Sequence, residues 1–374
     1  MQLRILPLLA LAAGLSAVTL PAAQDVWPRV ERVVAIGDVH GDYEQFLTLL
    51  QEAGLVNKKG RWSGGKAHLV QTGDIPDRGP QTRKIMDLMM RLEKQARKAG
   101  GRVHALIGNH EAMNVYGDLR YVTPEEFAAF RTSDSERIRE AFWQQHVEQL
   151  KKKAAAAGEK FTVSEQEKKQ WFEKHPLGYF EHRVAWGPKG KYGKWVRSHN
   201  TVIKIGDTLF LHGGVSPRFA DAKIREINET VRKELNDFRL LKEGITVAED
   251  GPLWYRGLAQ GDEQELAPHV EAVLANYGVK RIVIGHTPTA GTVMPRFGGK
   301  VLMIDVGLSK HYGRRRACLV IEDGKPYTLH RGKRLELPGP SRASLIEYLS
   351  AAAALDPPPS PLEPLIERLR AAAD

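Results

Sequence analysis

Apolar residues in this chain gather into two kinds of pattern, short continuous runs and longer periodic stretches. Five runs stand out: Val33-Val34-Ala35-Ile36, His68-Leu69-Val70-Gln71, Val103-His104-Ala105-Leu106-Ile107, Thr208-Leu209-Phe210-Leu211 and Arg281-Ile282-Val283-Ile284. Runs this short, rich in Val, Ile and Leu, suit strands buried on both faces in the interior of an α/β sheet. Each passes into a glycine beside a metal-seeking residue: Gly37-Asp38-Val39-His40-Gly41-Asp42, Gly73-Asp74, Gly108-Asn109-His110-Glu111, His212-Gly213-Gly214 and Gly285-His286. Open α/β sheets carry their chemistry just past the carboxyl ends of such strands, so ligands far apart in sequence can meet at one edge. Glycine lets the backbone there turn sharply and come close to an ion or a phosphate. His68 and His104 sit inside their runs and are not counted as ligands.

The stretches between the runs predict helices and turns. Val202-Ile203-Lys204-Ile205 and Thr208-Leu209-Phe210-Leu211 flank Gly206-Asp207, a hairpin signal that would deliver His212. About 100 residues separate Glu111 from His212, far more than the dozen or so that a strand-to-strand crossover needs. Thr123-Pro124-Glu125-Glu126 and Ser164-Glu165-Gln166-Glu167 both match the capping box, and the segments they open are dense in Ala, Glu, Lys and Gln. Residues 115–180 are therefore read as a helical insertion or cap. From 334 to 374, Pro338, Pro340 and Asp356-Pro357-Pro358-Pro359-Ser360-Pro361, then a short amphipathic end, read as a Pro-rich linker and helical tail. No internal repeat is present.

Composition changes this picture in three places. Residues 1–23 carry one early Arg, an apolar stretch from Ile5 to Leu20 and Leu20-Pro21-Ala22-Ala23, the form of a secretory signal peptide. A periplasmic or secreted protein is expected, with no stable membrane span once the signal is removed. Cys318 is the only cysteine, so no intramolecular disulfide can form and the core alone must hold the fold. It lies in the apolar run Ala317-Cys318-Leu319-Val320-Ile321, as a buried and inert thiol would. The net charge of +10 implies attraction to anions in general. Runs such as Lys151-Lys152-Lys153 and Arg314-Arg315-Arg316 are ordinary solvated faces, and no specific nucleic-acid partner is expected. Oligomeric state is not legible.

The ligand types define a metal centre. Asp, Asn and His without cysteine make a mixed oxygen and nitrogen site for two divalent or trivalent ions, with Mn, Fe and Zn the candidates. Asp38 and His40, two apart on extended backbone, point to one ion. Asn109, His212 and His286 would hold the second. Asp74, alone at its strand end, is the natural bridge because a carboxylate can bind both ions at once. A lone Gly-Asp is ordinarily a turn and a lone His ordinarily a core or surface residue, but independent turns would not give this order and chemistry.

Taken together the blocks resemble the calcineurin-like metallophosphoesterases. Asp77-Arg78-Gly79 and Asn109-His110-Glu111 are similar to the phosphoprotein phosphatase branch. Gly108-Asn109-His110-Glu111-Ala112-Met113-Asn114 with Gly117-Asp118-Leu119-Arg120-Tyr121, Leu253-Trp254-Tyr255-Arg256-Gly257 and Asp305-Val306-Gly307-Leu308-Ser309 resemble its bacterial Shewanella-like phosphatases. The resemblance implies an α/β sandwich of two mixed sheets flanked by helices, with the catalytic domain over 31–333. It implies phosphate monoester hydrolysis by direct attack of a hydroxide shared between two metals. Arg78 is the first phosphate clamp, since a guanidinium matches the spread phosphoryl charge. Arg256 is the second by its place in the motif, with Arg120, Arg183 and Arg197 as replacements, and Asn109 also faces substrate phosphate. His110, oriented by Asp77, would protonate the leaving group.

Pro288 stands where many nucleases and diesterases of the superfamily carry a second His, which favours a monoesterase. The expected substrate is a phosphorylated protein, with phosphotyrosine possible, or a small phosphomonoester. The alternative is a dinucleoside tetraphosphate or other nucleotide hydrolase. A remoter alternative is a non-catalytic basic protein binding the anionic envelope, which would be expected to lack the bridge, the acid or the clamp.

Overall fold

The structure, a computed structural model, describes residues 24–371. The segment 1–23 read as a signal peptide lies outside them. Twelve strands are found among the described residues. They are β1 (Val26–Trp27), β2 (Arg32–Ile36), β3 (His68–Gln71), β4 (Arg102–Ala105), β5 (Val202–Ile205) and β6 (Thr208–Leu211). Then follow β7 (Arg281–Ile284), β8 (Met294–Arg296), β9 (Val301–Met303), β10 (Ala317–Glu322), β11 (Lys325–His330) and β12 (Lys333–Glu336). They form two six-stranded sheets, ordered β1-β5-β6-β7-β9-β8 and β12-β11-β10-β2-β3-β4. Both sheets are mixed: β2, β3 and β4 run parallel in one, β6, β7 and β9 in the other, and the remaining strands are largely antiparallel hairpin partners.

The continuous apolar runs follow from two-sided burial. Successive side chains on a strand point to opposite faces. Val33 and Ala35 of β2, Val70 of β3 and Leu319 of β10 pack against Ile203, Phe210, Val283 and Leu302 of the facing sheet. The alternate residues, Val34, Ile36, Leu69, Leu209, Ile282 and Ile284, turn outward into a second core shared with the helices. Helix Thr82–Lys98 shows how that layer is made: Ile85, Met86, Met89, Leu92 and Ala96 are buried at helical spacing, while its Lys and Arg residues stay outside. Cys318 is fully buried, and burial pushes its thiol up to about 12.

Residues 115–180 hold helices Pro124–Ala128, Ser135–Ala157 and Glu165–Lys174, with Tyr179–Trp186 closing the set. Ser164 and Glu167 form the expected capping box. Thr123 caps its helix by accepting from Glu126 N–H at 3.2 Å, but Glu126 does not close that box. Its carboxyl turns inward, fully buried and without a hydrogen-bond partner among the described residues.

The stretch read as linker and tail contributes β12 and two helices, Arg342–Ala353 and Glu363–Ala371, that pack together around Tyr348, Leu349, Leu362 and Ile366. Tyr348 donates its hydroxyl to Val293 O at 2.8 Å. Asp356 accepts from Arg331 Nε at 2.7 Å and Ser360 Oγ at 2.8 Å, with His330 Nε2 at 3.1 Å. Burial opposes ionisation of Asp356, yet these bonds outweigh it and pull the carboxyl down to about 2. A depressed carboxyl stabilises the fold above its unfolded value of about 4 and loses that support as pH falls toward the folded value. Asp356→Ala is expected to cost about 2–3 kcal/mol of local stability at neutral pH, the range for hydrogen bonds to a charged group. Hydrogen exchange should then show early loss of protection over 342–371; protection equal to the parent would count against the anchor.

No helix among the described residues is long and apolar enough to cross a membrane.

Candidate metal centre

Because β2, β3 and β4 are parallel, as are β6, β7 and β9, the residues following their carboxyl ends share one edge of the sandwich. That edge gathers Asp38, His40, Asp74, Asn109, His212 and His286, all buried. Bonds between the sheets hold it: His286 N–H donates to Asp38 Oδ1 at 3.0 Å and His212 Nδ1 meets Thr72 O at 3.0 Å. Glycine is needed where the loops touch. A Cβ on Gly108 would stand 2.3 Å from Asp74 Oδ1, and one on Gly285 2.5 Å from Asp38 Oδ1. His40, Asp74, Asp77, Arg78 and His286 all have positive φ, a conformation that costs non-glycine residues about 1–3 kcal/mol and clusters at functional sites.

The imidazole bonds show which ring nitrogens face the site. His212 Nδ1 donates to the Thr72 carbonyl, which turns Nε2 inward. That nitrogen lies 2.8 Å from Asn109 Oδ1, 3.1 Å from His286 Nδ1 and 3.3 Å from Asp74 Oδ2. His40 Nδ1 likewise donates to Pro76 O at 3.0 Å, leaving Nε2 bare at 3.8 Å from Asp38 Oδ2 and 3.9 Å from Asp74 Oδ2. Burial pushes His40 down to about 3 and His286 down to about 2, so both rings are neutral. Imidazole nitrogens and carboxylate oxygens converging in this way form a donor set suited to a cation. A ring nitrogen donating to a backbone carbonyl while the other faces inward is the usual posture of a metal-bound imidazole. His40, Asp74 and His110 form one compact cluster of donors and Asp74, His212 and His286 another.

Asp74 joins the two groups through one oxygen. Oδ1 accepts His110 N–H at 2.9 Å, at the start of helix Asn109–Tyr116. Oδ2 alone faces both His40 and His212. Burial works against ionisation of Asp74, but His212 and then His110 outweigh it and hold its carboxyl well below the usual range. Asp38 is driven the other way by burial, then by the charges of Asp305 and Asp74.

His110 Nδ1 meets Asp77 Oδ2 at 2.5 Å, and Asn114 Nδ2 donates to Asp77 Oδ1 at 2.9 Å. Burial disfavours the charged ring, yet Asp74 and then Asp77 raise its pKa above the usual histidine value. Its Nε2 looks into the site, 3.8 Å from Asp74 Oδ2. The Arg78 guanidinium lies 4.0 Å over the Tyr121 ring, and its buried Nε has no partner among the described residues. Arg256 Nη1 donates to His286 O and Thr287 Oγ1, both at 2.8 Å, which ties it to the loop bearing His286. The replacements go elsewhere. Arg183 donates to Asn114 O and Val115 O, Arg197 to Leu235 O, Trp186 O and Gly193 O, and Arg120 pairs with Asp118 on the surface.

Three residues at the site carried no role in the sequence reading. Glu111 accepts the N–H groups of Asp74, Ile75 and Gly108, each at 2.8 Å, and so fastens two ligand loops together. Asp305, after β9, is buried beside Asp38, and burial pushes it up to about 6. Glu126 brings the insertion against Asp77, whose charge, after burial, helps keep the Glu126 carboxyl raised. Glu111 and Asp305 lay inside quoted motifs, so a signal existed; nothing local marked Glu126. His68 and His104 face each other at 3.1 Å within the strands, as expected of residues outside the site.

Residues 31–290 match the calcineurin-like phosphoesterase family. An uncharacterised protein of Schizosaccharomyces pombe is 34% identical over 320 residues, covering 82% of this chain and 82% of its own length. Shewanella-like protein phosphatase 2 of Arabidopsis thaliana is 30% identical over 303 residues, covering 77% and 74%. Among solved structures, the cold-active protein-tyrosine phosphatase of a psychrophilic Shewanella superposes with a TM-score of 0.63 at 30% identity, over 83% of this chain and 82% of that one. With the family matched over most of its length and a Shewanella-like phosphatase aligned across both chains, this chain belongs to the calcineurin-like phosphoesterases and is a phosphatase of their Shewanella-like group.

Proposed function

We propose that the chain is a dinuclear metal-dependent phosphomonoesterase acting on phosphorylated protein, with phosphotyrosine the first side chain to test. The observation that carries this is the convergence of the His40 and His212 ring nitrogens on Asp74 Oδ2, beside an imidazole held by Asp77. Asp38, His40 and Asp74 would hold one ion, and Asp74, Asn109, His212 and His286 the other, with Mn, Fe and Zn all compatible with this donor set. Two ions there supply an ionised water and neutralise phosphoryl charge.

The remaining work falls to the chain's own groups. Arg78, kept rigid against Tyr121, presents guanidinium N–H groups to the phosphoryl oxygens. Arg256 retains its outer nitrogens for the same purpose while Nη1 holds the His286 loop. Asn109 carries an amide nitrogen that can turn toward phosphate while Oδ1 faces His212. His110 Nε2 gives its proton to the departing oxygen, and Asp77 keeps the ring charged until it does.

The test is chelation followed by reconstitution with each metal, read on a panel of phosphotyrosine peptide, phosphoserine peptide and diadenosine tetraphosphate. Activity should vanish on stripping and return with metal. The phosphotyrosine peptide should exceed the dinucleotide in kcat/KM by at least about tenfold, or about 1.4 kcal/mol. Undiminished turnover after exhaustive chelation would overturn the metal reading. Comparable specificity constants for the peptide and the dinucleotide would overturn the protein substrate. A periplasmic or secreted location belongs to the same proposal; cell fractionation with amino-terminal sequencing of the mature protein tests it.

A further inference from the structure

Beside the metal centre, a groove of about 450 Å³ runs from His40 and Arg78 to the loop bearing Lys310, His311 and Arg314. It is large enough for one or two side chains flanking a substrate residue. Its charges are not balanced once the bonds are followed. Asp42 Oδ1 accepts Gln45 N–H at 3.2 Å, and Oδ2 accepts Lys310 N–H at 2.9 Å with Arg314 Nε at 3.6 Å. Glu44 Oε1 accepts from Gln81 Nε2 at 3.0 Å. A neutral amide leaves the charge of Glu44 in place, so Arg78, Lys310 and Arg314 on the wall face the carboxylates of Asp42 and Glu44, an excess of one cation. Arg78 and Lys310 have no carboxylate partner among the described residues. Ser309, also on the wall, is buried with a hydroxyl that has no hydrogen-bond partner among them.

The cationic side is held in shape. Tyr312 N–H and Arg314 N–H both return to Ser309 O, at 3.0 and 2.9 Å, and Asp42 pins the loop from below. The Tyr312 ring stands 5.4 Å from the His40 ring, so the loop adjoins the candidate metal centre. A fixed cationic rim next to a phosphate site fits a substrate with a second negative group close to the first.

We infer that this groove is a second anion subsite that takes an acidic side chain within one or two residues of the phosphorylated residue, with Lys310 as its main determinant. The inference rests on the phosphoprotein reading above and names its substrate more closely: acidic phosphopeptides. The same rim could meet a second phosphate, either on a doubly phosphorylated peptide or in a nucleotide chain, and the test separates these sources.

The experiment measures kcat/KM on phosphotyrosine peptides with Asp, Ala, Lys or phosphoserine at the flanking positions, together with diadenosine tetraphosphate. It uses the full metal-loaded chain and its Lys310→Glu, Lys310→Ala and Lys151→Glu variants; Lys151 lies on the insertion helix and controls for overall charge. In the parent, the Asp peptide should exceed the Ala peptide about tenfold and the Lys peptide by more, and the ratio should shrink in high salt. Lys310→Glu should bring the Asp-to-Ala ratio to about one, with Lys310→Ala between and Lys151→Glu like the parent. Equal rates across the flanks in the parent overturn the subsite. An equal shift of the ratio in Lys151→Glu overturns the local origin, leaving only general attraction by a basic protein. Preference for the phosphoserine flank over Asp would reassign the site to a second phosphate. Hydrolysis of the dinucleotide with no turnover of any peptide would overturn the phosphoprotein reading itself.

Discussion

Asp74→Asn should leave a folded protein that has lost about 10²–10⁴-fold in kcat/KM on every phosphate ester. The amide oxygen of Asn can still accept His110 N–H, as Asp74 Oδ1 does at 2.9 Å, so the start of helix Asn109–Tyr116 keeps its tie. What disappears is the one charged oxygen lying between His40 Nε2 and His212 Nε2. A metal that polarises phosphoryl oxygen supplies several kcal/mol of transition-state charge stabilisation, and losing the bridging charge that would hold it should cost about 3–5 kcal/mol of that. At about 1.4 kcal/mol per decade, that gives the stated range. Elemental analysis of the same preparation should show at least one metal equivalent lost per chain, and a variant that keeps both metals and its rate would remove Asp74 from the bridge. Gly108→Ala offers an independent check, since its Cβ would collide with Asp74 Oδ1 while changing no ligand.

How much of this was legible depends on the range of the forces involved. Two-sided burial writes itself into sequence as short apolar runs, and the five runs correspond to β2, β3, β4, β6 and β7 within two residues at each end. The Gly206-Asp207 turn is equally local, and β5 and β6 pair across it. The ligand residues were visible because each follows such a run. Their partners were less so. That Arg183 and Arg197 are consumed by backbone carbonyls depends on helices that meet only in the fold. Glu126 read as half of a capping box, a local role, and long-range packing against Asp77 won instead. The Pro-rich stretch at 356–361 looked like a linker because proline marks breaks in regular structure, but Asp356 and Ser360 within it bind each other, and Asp356 binds Arg331 of the preceding hairpin.

His110→Asn should divide substrates by the acidity of their leaving groups. An alkoxide leaving from phosphoserine needs a proton in the transition state, and a positioned acid contributes about 10²–10⁴-fold to such a step. A nitrophenolate leaves without that help, so its loss should stay within about tenfold. Phosphotyrosine, whose phenol has a pKa of about 10, should fall between. The pH dependence carries the same signature. Asp74 and Asp77 raise His110 above the ordinary histidine value against the pull of burial, so the charged donor persists to higher pH than a free imidazole would. With phosphoserine peptide, kcat should therefore decline as pH rises through that raised value, and the decline should be absent in His110→Asn. Asp77→Asn should lower the pH at which the decline begins, because the ring loses the carboxylate at 2.5 Å while Asn114 remains in place. Equal losses on serine and nitrophenyl esters, or an unmoved alkaline limb in Asp77→Asn, would assign the proton to another group and leave the His110–Asp77 pair a purely structural contact.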